Sequence, residues 1–271
     1  MSANVDRTRD LASARALHRR LRRLGEATAP AGVLGAVLDE LGLAERYLSL
    51  ESPIGTLYVA FNGGRISGVA PAADDAAFER TYRARTGRSA RRAEEAPSGL
   101  LSAIRRHLAG ETVDLDLDLR QLSEFERAVL LKAREIPRGE VRPYGWIARE
   151  IGRPGAVRAV GSALNKNPVP LLIPCHRVVK SDGQLGEYAF GPSLKRQLLA
   201  SEGLDLGRID ALAQAGIRFV ADLAGDEYCL PTCRWVRDKA PSEVRWLPSV
   251  AAARAAGYRP CSDCRPAAIA V

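Results

Sequence analysis

Asn167-Pro-Val-Pro-Leu-Leu-Ile-Pro-Cys-His-Arg-Val-Val179 sets a thiol beside an imidazole inside an apolar stretch. Leu171, Leu172 and Ile173 lead to Cys175 and His176, and Val178-Val179 follow Arg177. A cysteine attacks as thiolate, a form that cationic or imidazole neighbours favour. His176 and Arg177 are the neighbours able to provide that field. For an isolated Cys-His pair, a buried structural cysteine is the plainer reading. If the segment is a strand, Cys175 and His176 point to opposite faces, so a water between them is expected rather than a direct hydrogen bond.

A chain of 271 residues has room for two domains and a small module. Its net charge of +8 points to a polyanionic partner, nucleic acid first, with a basic protein lacking such a partner as the alternative. No apolar run approaches the ~20 residues that cross a membrane, so no membrane partner is expected. Arginines interleaved with leucines stand where a signal peptide would carry its apolar core. A cytoplasmic, nucleoid-associated location with reduced thiols is therefore expected.

The five cysteines divide as one plus four. Cys175 stands alone, whereas Cys229-x3-Cys233 and Cys261-x2-Cys264 form two close pairs with 27 residues between them. In a reduced chain this division suggests one reactive thiol and one metal site. Four soft ligands suit tetrahedral zinc. A segment of about 45 residues has little core, so the metal would supply much of its folding energy.

Residues 1–45 read as a helical extension, with Leu11, Leu17, Leu21 and Leu24 on one stripe among arginines. Residues 46–119 read as a small sheet with a helix. Tyr47–Leu50 and Leu57–Phe61 are strands joined through Pro53-Ile-Gly55. Asn62-Gly63-Gly64 turns a hairpin, Ile66–Val69 returns, and a helix covers about 98–109. Residues 120–205 open on the capping box Ser123-Glu-Phe-Glu126. Helices over 144–151 and 155–164, separated by Gly152-Arg-Pro-Gly155, make a helix-turn-helix pattern. The small residues of the second, Ala156, Ala159, Gly161 and Ala163, suit close approach either to DNA or to another helix. Residues 206–271 hold the four cysteines and a linker, with helical apolar spacing over 204–222. The expected class is α/β (α+β): a small N-terminal sheet-plus-helix domain, a helical domain with the helix-turn-helix, and a small zinc-bound C-terminal module.

The 167–179 segment resembles the active-site segment of the O6-alkylguanine-DNA alkyltransferases. The resemblance runs from Ser123 to Glu202 through Gly139-Glu140, Tyr144-Gly145, Arg158-Ala-Val-Gly161 and Leu198-Leu-Ala-Ser-Glu-Gly203. It implies one irreversible transfer of an alkyl group from O6-alkylguanine, with O4-alkylthymine a further candidate, to Cys175. The implied partner is double-stranded DNA whose alkylated base is flipped out, bound by a monomer that needs no cofactor for the transfer. It also implies a recognition helix in the minor groove, with Ala159 and Gly161 in close approach. Arg158 would fill the vacated stack with its planar, permanently charged group, and Tyr188 would contact DNA. His176 is implied as general base through water, Glu202 as its orienter, Tyr144 as proton donor to the departing purine, and Asn167 as holder of the turn.

The substrate loop Glu187-Tyr-Ala-Phe-Gly-Pro192 departs from the family, where a Gly-Gly pair commonly follows the Tyr-Ala step. Here Phe190 takes the first glycine position, next to Ala189. Its bulk either narrows the guanine pocket against benzyl-sized adducts or turns away and packs on the loop. Leu130 replaces an aromatic residue common in the family, which reads as a core adjustment.

Tyr228-Cys-Leu-Pro-Thr-Cys-Arg234 and Ala256-Gly-Tyr-Arg-Pro-Cys-Ser-Asp-Cys-Arg-Pro266 resemble the zinc-binding methylphosphotriester-repair domain of the Ada adaptive-response proteins. There the domain is N-terminal and precedes a transcription-factor helix-turn-helix; here it follows the alkyltransferase segment. The resemblance makes Cys229 a ligand and a candidate second methyl acceptor. The alternative is a zinc staple that adds DNA affinity without chemistry. Arg234, Arg237, Lys239 and Arg245 suit phosphates in either case. A non-catalytic sensor of alkylated DNA is a further class, against which the intact Cys175 speaks. A methyl-responsive regulator lacks its transcription-factor segment, and nothing resembles the oxyanion hole of a cysteine hydrolase.

Overall fold

The computed structural model describes residues 45–52 and 54–266, together with Val37. The leucine stripe expected within residues 1–45, and Pro53, lie outside the described residues. Strands β1 (Glu45–Ser52), β2 (Gly55–Asn62) and β3 (Arg65–Pro71) form an antiparallel meander. Gly63 and Gly64 join β2 to β3 with φ of 53° and 85°, the positive pair that a two-residue type I′ turn requires. Helix α1 (Asp75–Thr86) then leads to β4 (Ala90–Arg92), which pairs in parallel with β1 and completes the order β3-β2-β1-β4.

Sequence reading missed α1, although both of its ends are signalled. Asp74 accepts from the Ala77 amide at 2.7 Å, and Gly87 closes the helix at φ 71°. Strand alternation gives the sheet two apolar faces. Tyr47, Tyr58 and Ala60 meet Phe78 and Tyr82 of α1. Leu50, Leu57 and Val59 face the other way, toward Ile104 of α2 (Leu100–Leu108).

That second face does not end at residue 119. Its core continues through Val129 and Leu130 of α3 (Glu124–Arg134) to Trp146, Val160, Leu172 and Leu198. One apolar cluster thus includes residues on both sides of 119/120, where the sequence places a boundary between the N-terminal and helical domains. Ser123 caps α3 with both halves of the expected box: its hydroxyl accepts from the Glu126 amide, and the Glu126 carboxylate accepts from the Ser123 amide. Strand β5 (Arg142–Pro143) leads directly into α4 (Tyr144–Glu150), and α5 (Val157–Asn165) follows as the second helix of the pair. Strand β6 (Val178–Val179) pairs in parallel with β5, and α6 (Pro192–Ser201) closes this region.

Helix α7 (Leu206–Gln214) bears out the first part of the helical reading of 204–222, but Phe219–Asp222 is strand β7. Phe219, Val220 and Ala221 are all buried, and so short an apolar run reads equally as helix or as buried strand. Strand β7 pairs with β8 (Glu227–Cys229) and β9 (Val244–Leu247). Helix α8 (Val250–Ala255) precedes β10 (Arg259–Pro260), which joins a second sheet of order β10-β8-β7-β9. Among the described residues, no helix is long and apolar enough to cross a membrane.

Candidate active site and metal centre

Cys175 does not sit on a strand. Cys175–Arg177 form one 3-10 turn, entered through a loop in which Leu171 takes a φ of 74°. For a branched residue, that conformation persists only where its surroundings impose it. Asn167, buried and seated just beyond α5, does so with three bonds. Its carbonyl oxygen accepts from the Val169 amide at 3.1 Å. Its amide donates to the Ile173 carbonyl at 2.9 Å and to the Cys175 sulfur at 3.2 Å.

His176 makes no direct hydrogen bond with the thiol, as expected, though both residues sit on a 3-10 turn and not on a strand. Its Nε2 meets Glu202 Oε1 at 2.8 Å, while its buried Nδ1 has no protein partner. Arg177 donates to both oxygens of Glu202, at 2.9 and 2.8 Å, and to the Ile136 carbonyl at 2.7 Å. Burial works against ionisation of Glu202. The hydrogen bonds from His176 and Arg177 outweigh it and hold the carboxyl at about 2. Burial also lowers the pKa of His176, so the imidazole is neutral near pH 7. Its share in holding Glu202 is then a hydrogen bond, and Arg177 supplies the charge.

The field on the thiol differs from expectation. Burial raises the pKa of Cys175. The groups that pull it back are the Asn167 amide, Lys195 and Arg85, whereas His176 and Arg177 face Glu202. Lys195 and Arg85 were missed in sequence reading because both lie far from Cys175 along the chain. Lys195, on α6, is almost wholly buried and donates to the carbonyls of Val178 (2.6 Å), Leu185 (2.5 Å) and Glu187 (3.3 Å). Burial lowers its pKa to about 8, against the opposing pull of Cys175 and Glu187. Arg85, from α1, donates to the carbonyls of Asn165 and Asn167.

Tyr144 and Tyr188 flank the site. Burial, then the charges of Cys175 and Glu187, raise the Tyr144 pKa, so its phenol keeps its proton. The ring of Tyr188, expected to contact DNA, stands edge-on to His176, 6.3 Å between centroids, with a buried hydroxyl, and lines the site beside the imidazole. Ala189 is exposed. Phe190 packs edge-on to Tyr188 at 5.6 Å and against the α1 cluster, with the Arg85 guanidinium 5.7 Å from its ring centroid. On α5, Arg158 and Ala159 are exposed and Gly161 half-buried.

In the C-terminal module the sulfurs of Cys229, Cys233, Cys261 and Cys264 all lie within 4.8 Å of one another, and all four residues are buried. Four sulfurs around one zinc ion at about 2.3 Å would sit about 3.8 Å apart, so the donor set fits tetrahedral zinc. Three of the four cations expected to meet phosphates are paired internally: Arg234 with Asp263, Arg237 with Asp238 and Lys239 with Asp222. Arg245 is exposed.

Residues 124–204 match the family described as 6-O-methylguanine DNA methyltransferase, DNA binding domain, and residues 212–267 match the metal binding domain of Ada. A methylated-DNA–protein-cysteine methyltransferase of Mycolicibacterium paratuberculosis is 39% identical over 159 residues, 58% of this chain and 91% of the relative. One from Methanosarcina acetivorans is 46% identical over 98 residues, 36% of this chain and 63% of the relative. A solved structure of Mycobacterium tuberculosis OGT in complex with DNA is 36% identical, covers 58% of this chain and 92% of that one, and has a TM-score of 0.48. With the Cys-His-Glu constellation and a relative matched over nearly its whole length, the chain belongs to the methylated-DNA–protein-cysteine methyltransferases and carries a metal-binding module of the Ada type.

Proposed function

We propose that the protein repairs O6-alkylguanine in duplex DNA by a single irreversible transfer of the alkyl group to Cys175. One observation carries this reading: the thiol is clamped by Asn167 beside a neutral imidazole whose outer nitrogen is bound to an ionised Glu202. The inner nitrogen, Nδ1, is free to take the thiol proton through one water, and Glu202 then stabilises the imidazolium. Sulfur bonds to the alkyl carbon as the carbon–O6 bond breaks. The bond's electrons pass to the purine, which takes a proton from the Tyr144 phenol. The product is a thioether, so each molecule acts once and no cofactor takes part. Burial keeps the resting thiol protonated and shielded until a base arrives.

DNA would lie along α5, with a monomer binding the minor groove. Arg158 is exposed there and has no ion pair among the described residues. A Cβ at Gly161 would meet Tyr144 at an ordinary 3.8 Å, so internal packing does not require glycine and close approach of DNA supplies the reason. Tyr188 would touch the flipped base, and Phe190 would act on it through Tyr188. In the module, zinc held by the four cysteines has a structural role. Cys229 is only 3% exposed, which favours a ligand over a second acceptor.

The test is to incubate the protein with duplex carrying O6-methylguanine, and separately with methylphosphotriester DNA, and to map methyl groups by peptide mass spectrometry. Methyl on Cys175 alone is expected. Methyl on Cys229 as well would make the protein bifunctional, and methyl on neither would defeat the reading.

A further inference from the structure

The metal module does not hang from the alkyltransferase region as a separate bead. Three positions in its cysteine loops grip residues 140–146. Thr232, between Cys229 and Cys233, accepts from the Val141 amide at 3.0 Å and returns its hydroxyl to the Val141 carbonyl at 3.4 Å. The Arg234 amide donates to Glu140 Oε1 at 3.3 Å, and Glu140 Oε2 holds Arg142 at 2.5 Å in an ion pair whose side chains are 2% and 3% exposed. The Trp146 indole N–H donates to the carbonyl of Cys264, itself one of the four cysteines, at 3.1 Å. Guanidinium groups of Arg142 and Arg265 flank that indole at 5.7 and 5.1 Å, and Arg265 also pairs with Glu150 at the end of α4. At Gly139, with φ of 74°, a Cβ would come within 2.9 Å of Arg237 and 3.2 Å of the Glu202 carbonyl, so module and active-site helix close on the same backbone.

The gripped segment is the one the reaction uses. Arg142-Pro143 pairs with Val178-Val179, directly after the Cys175–Arg177 turn, and Tyr144 is the next residue. Buried polar contacts of this kind hold only while every member has its partner, and the loops that supply the partners are the ones four thiolates would gather around an ion. We infer that the metal-loaded module is a positioning element for alkyl transfer, acting through Trp146 and the Glu140–Arg142 pair on Tyr144 and the helix-turn-helix. The inference rests on the function proposed above and assigns the module a role in that same site.

Hydrogen exchange on the full chain, zinc-loaded and after chelation, tests the coupling. Chelation is expected to speed exchange more than tenfold at amides 141–151, beyond the module, while β1 to β3 keep their protection. Exchange confined to residues 219–264 would overturn the inference. Should chelation unfold the whole chain, Trp146→Phe and Thr232→Val at zinc saturation decide. Thr232→Val removes two hydrogen bonds at nearly constant shape, and Trp146→Phe removes one together with part of a buried ring; each should speed local exchange at least about fivefold, the worth of one hydrogen bond. Each should also slow methyl transfer at saturating O6-methylguanine duplex several-fold. Unchanged local exchange together with an unchanged saturated rate would sink the proposal. Wild-type protein that transfers no methyl but shows coupled exchange would defeat the proposed function instead, and leave the mechanical coupling standing.

Discussion

The 167–177 loop and the C-terminal module both bury reduced cysteines, and they do opposite things with them. In the loop one sulfur accepts from the Asn167 amide and feels the charges of the Lys195 ammonium and the Arg85 guanidinium. In the module four sulfurs are one another's neighbours. Each thiolate formed there would lie within 4.8 Å of three other sulfurs, so all four ionise together only around a cation, whereas Cys175 needs no more than a base within reach. Burial by itself does not make a thiol inert or reactive; what surrounds the sulfur decides.

The strongest way to break this comparison is to exchange the roles. Cys175→Ser should abolish methyl uptake from O6-methylguanine DNA and leave bound zinc unchanged by elemental analysis. Cys233→Ser should do the reverse: metal is lost and the module melts, a loss of the order of 10 kcal/mol, yet Cys175 still takes the methyl, more slowly. Methyl moving to another cysteine in Cys175→Ser would end the distinction.

Two further changes sharpen what surrounds Cys175. Glu202, at about 2 when folded and near 4.3 when unfolded, adds stability that is fully present above about pH 4.5. That stability is lost as pH falls through about 2, an effect of roughly 3 kcal/mol. The lowered pKa of His176 acts in the same direction from below its ordinary 6.5. Denaturant titration across pH should show this slope, and Glu202→Gln should flatten its acidic limb. Lys195→Met leaves the carbonyls of Val178, Leu185 and Glu187 without their donor. At about 1 kcal/mol for each lost bond, a stability loss near 3 kcal/mol is expected in the same assay.

The smallest effect concerns Phe190. Because its ring packs on the α1 cluster under Arg85, Phe190→Gly should cost about 1 kcal/mol from the lost cation–π and ring contacts. Methyl and benzyl transfer rates should change in parallel as Tyr188 loosens. A selective gain in benzyl transfer would show instead that the ring narrows the pocket.

What could be read in advance follows the range of the contacts. The Asn62-Gly63-Gly64 turn, the Ser123–Glu126 box and the paired cysteines are each closed within a few residues, so spacing alone exposes them. Asp74 and Gly87 carried the same kind of signal for α1 and were passed over. Phe219–Asp222 could not be told from helix, because its three buried apolar residues have no period to read and its partners, β8 and β9, come later in the chain. Lys195 and Arg85 sit in segments whose own patterns say only helix.

The sequence by itself determined which thiol stands apart, which four belong together, and the order of the short motifs between them. Those are properties of residue type and close spacing, and backbone geometry converts them directly into turns, caps and ligand pairs. Tertiary structure alone decided which charges reach Cys175, that Phe190 turns to the N-terminal sheet, and that the metal loops close on Glu140–Trp146. Such contacts join elements distant along the chain, and only the packing of one continuous core, and of the module against it, brings them together.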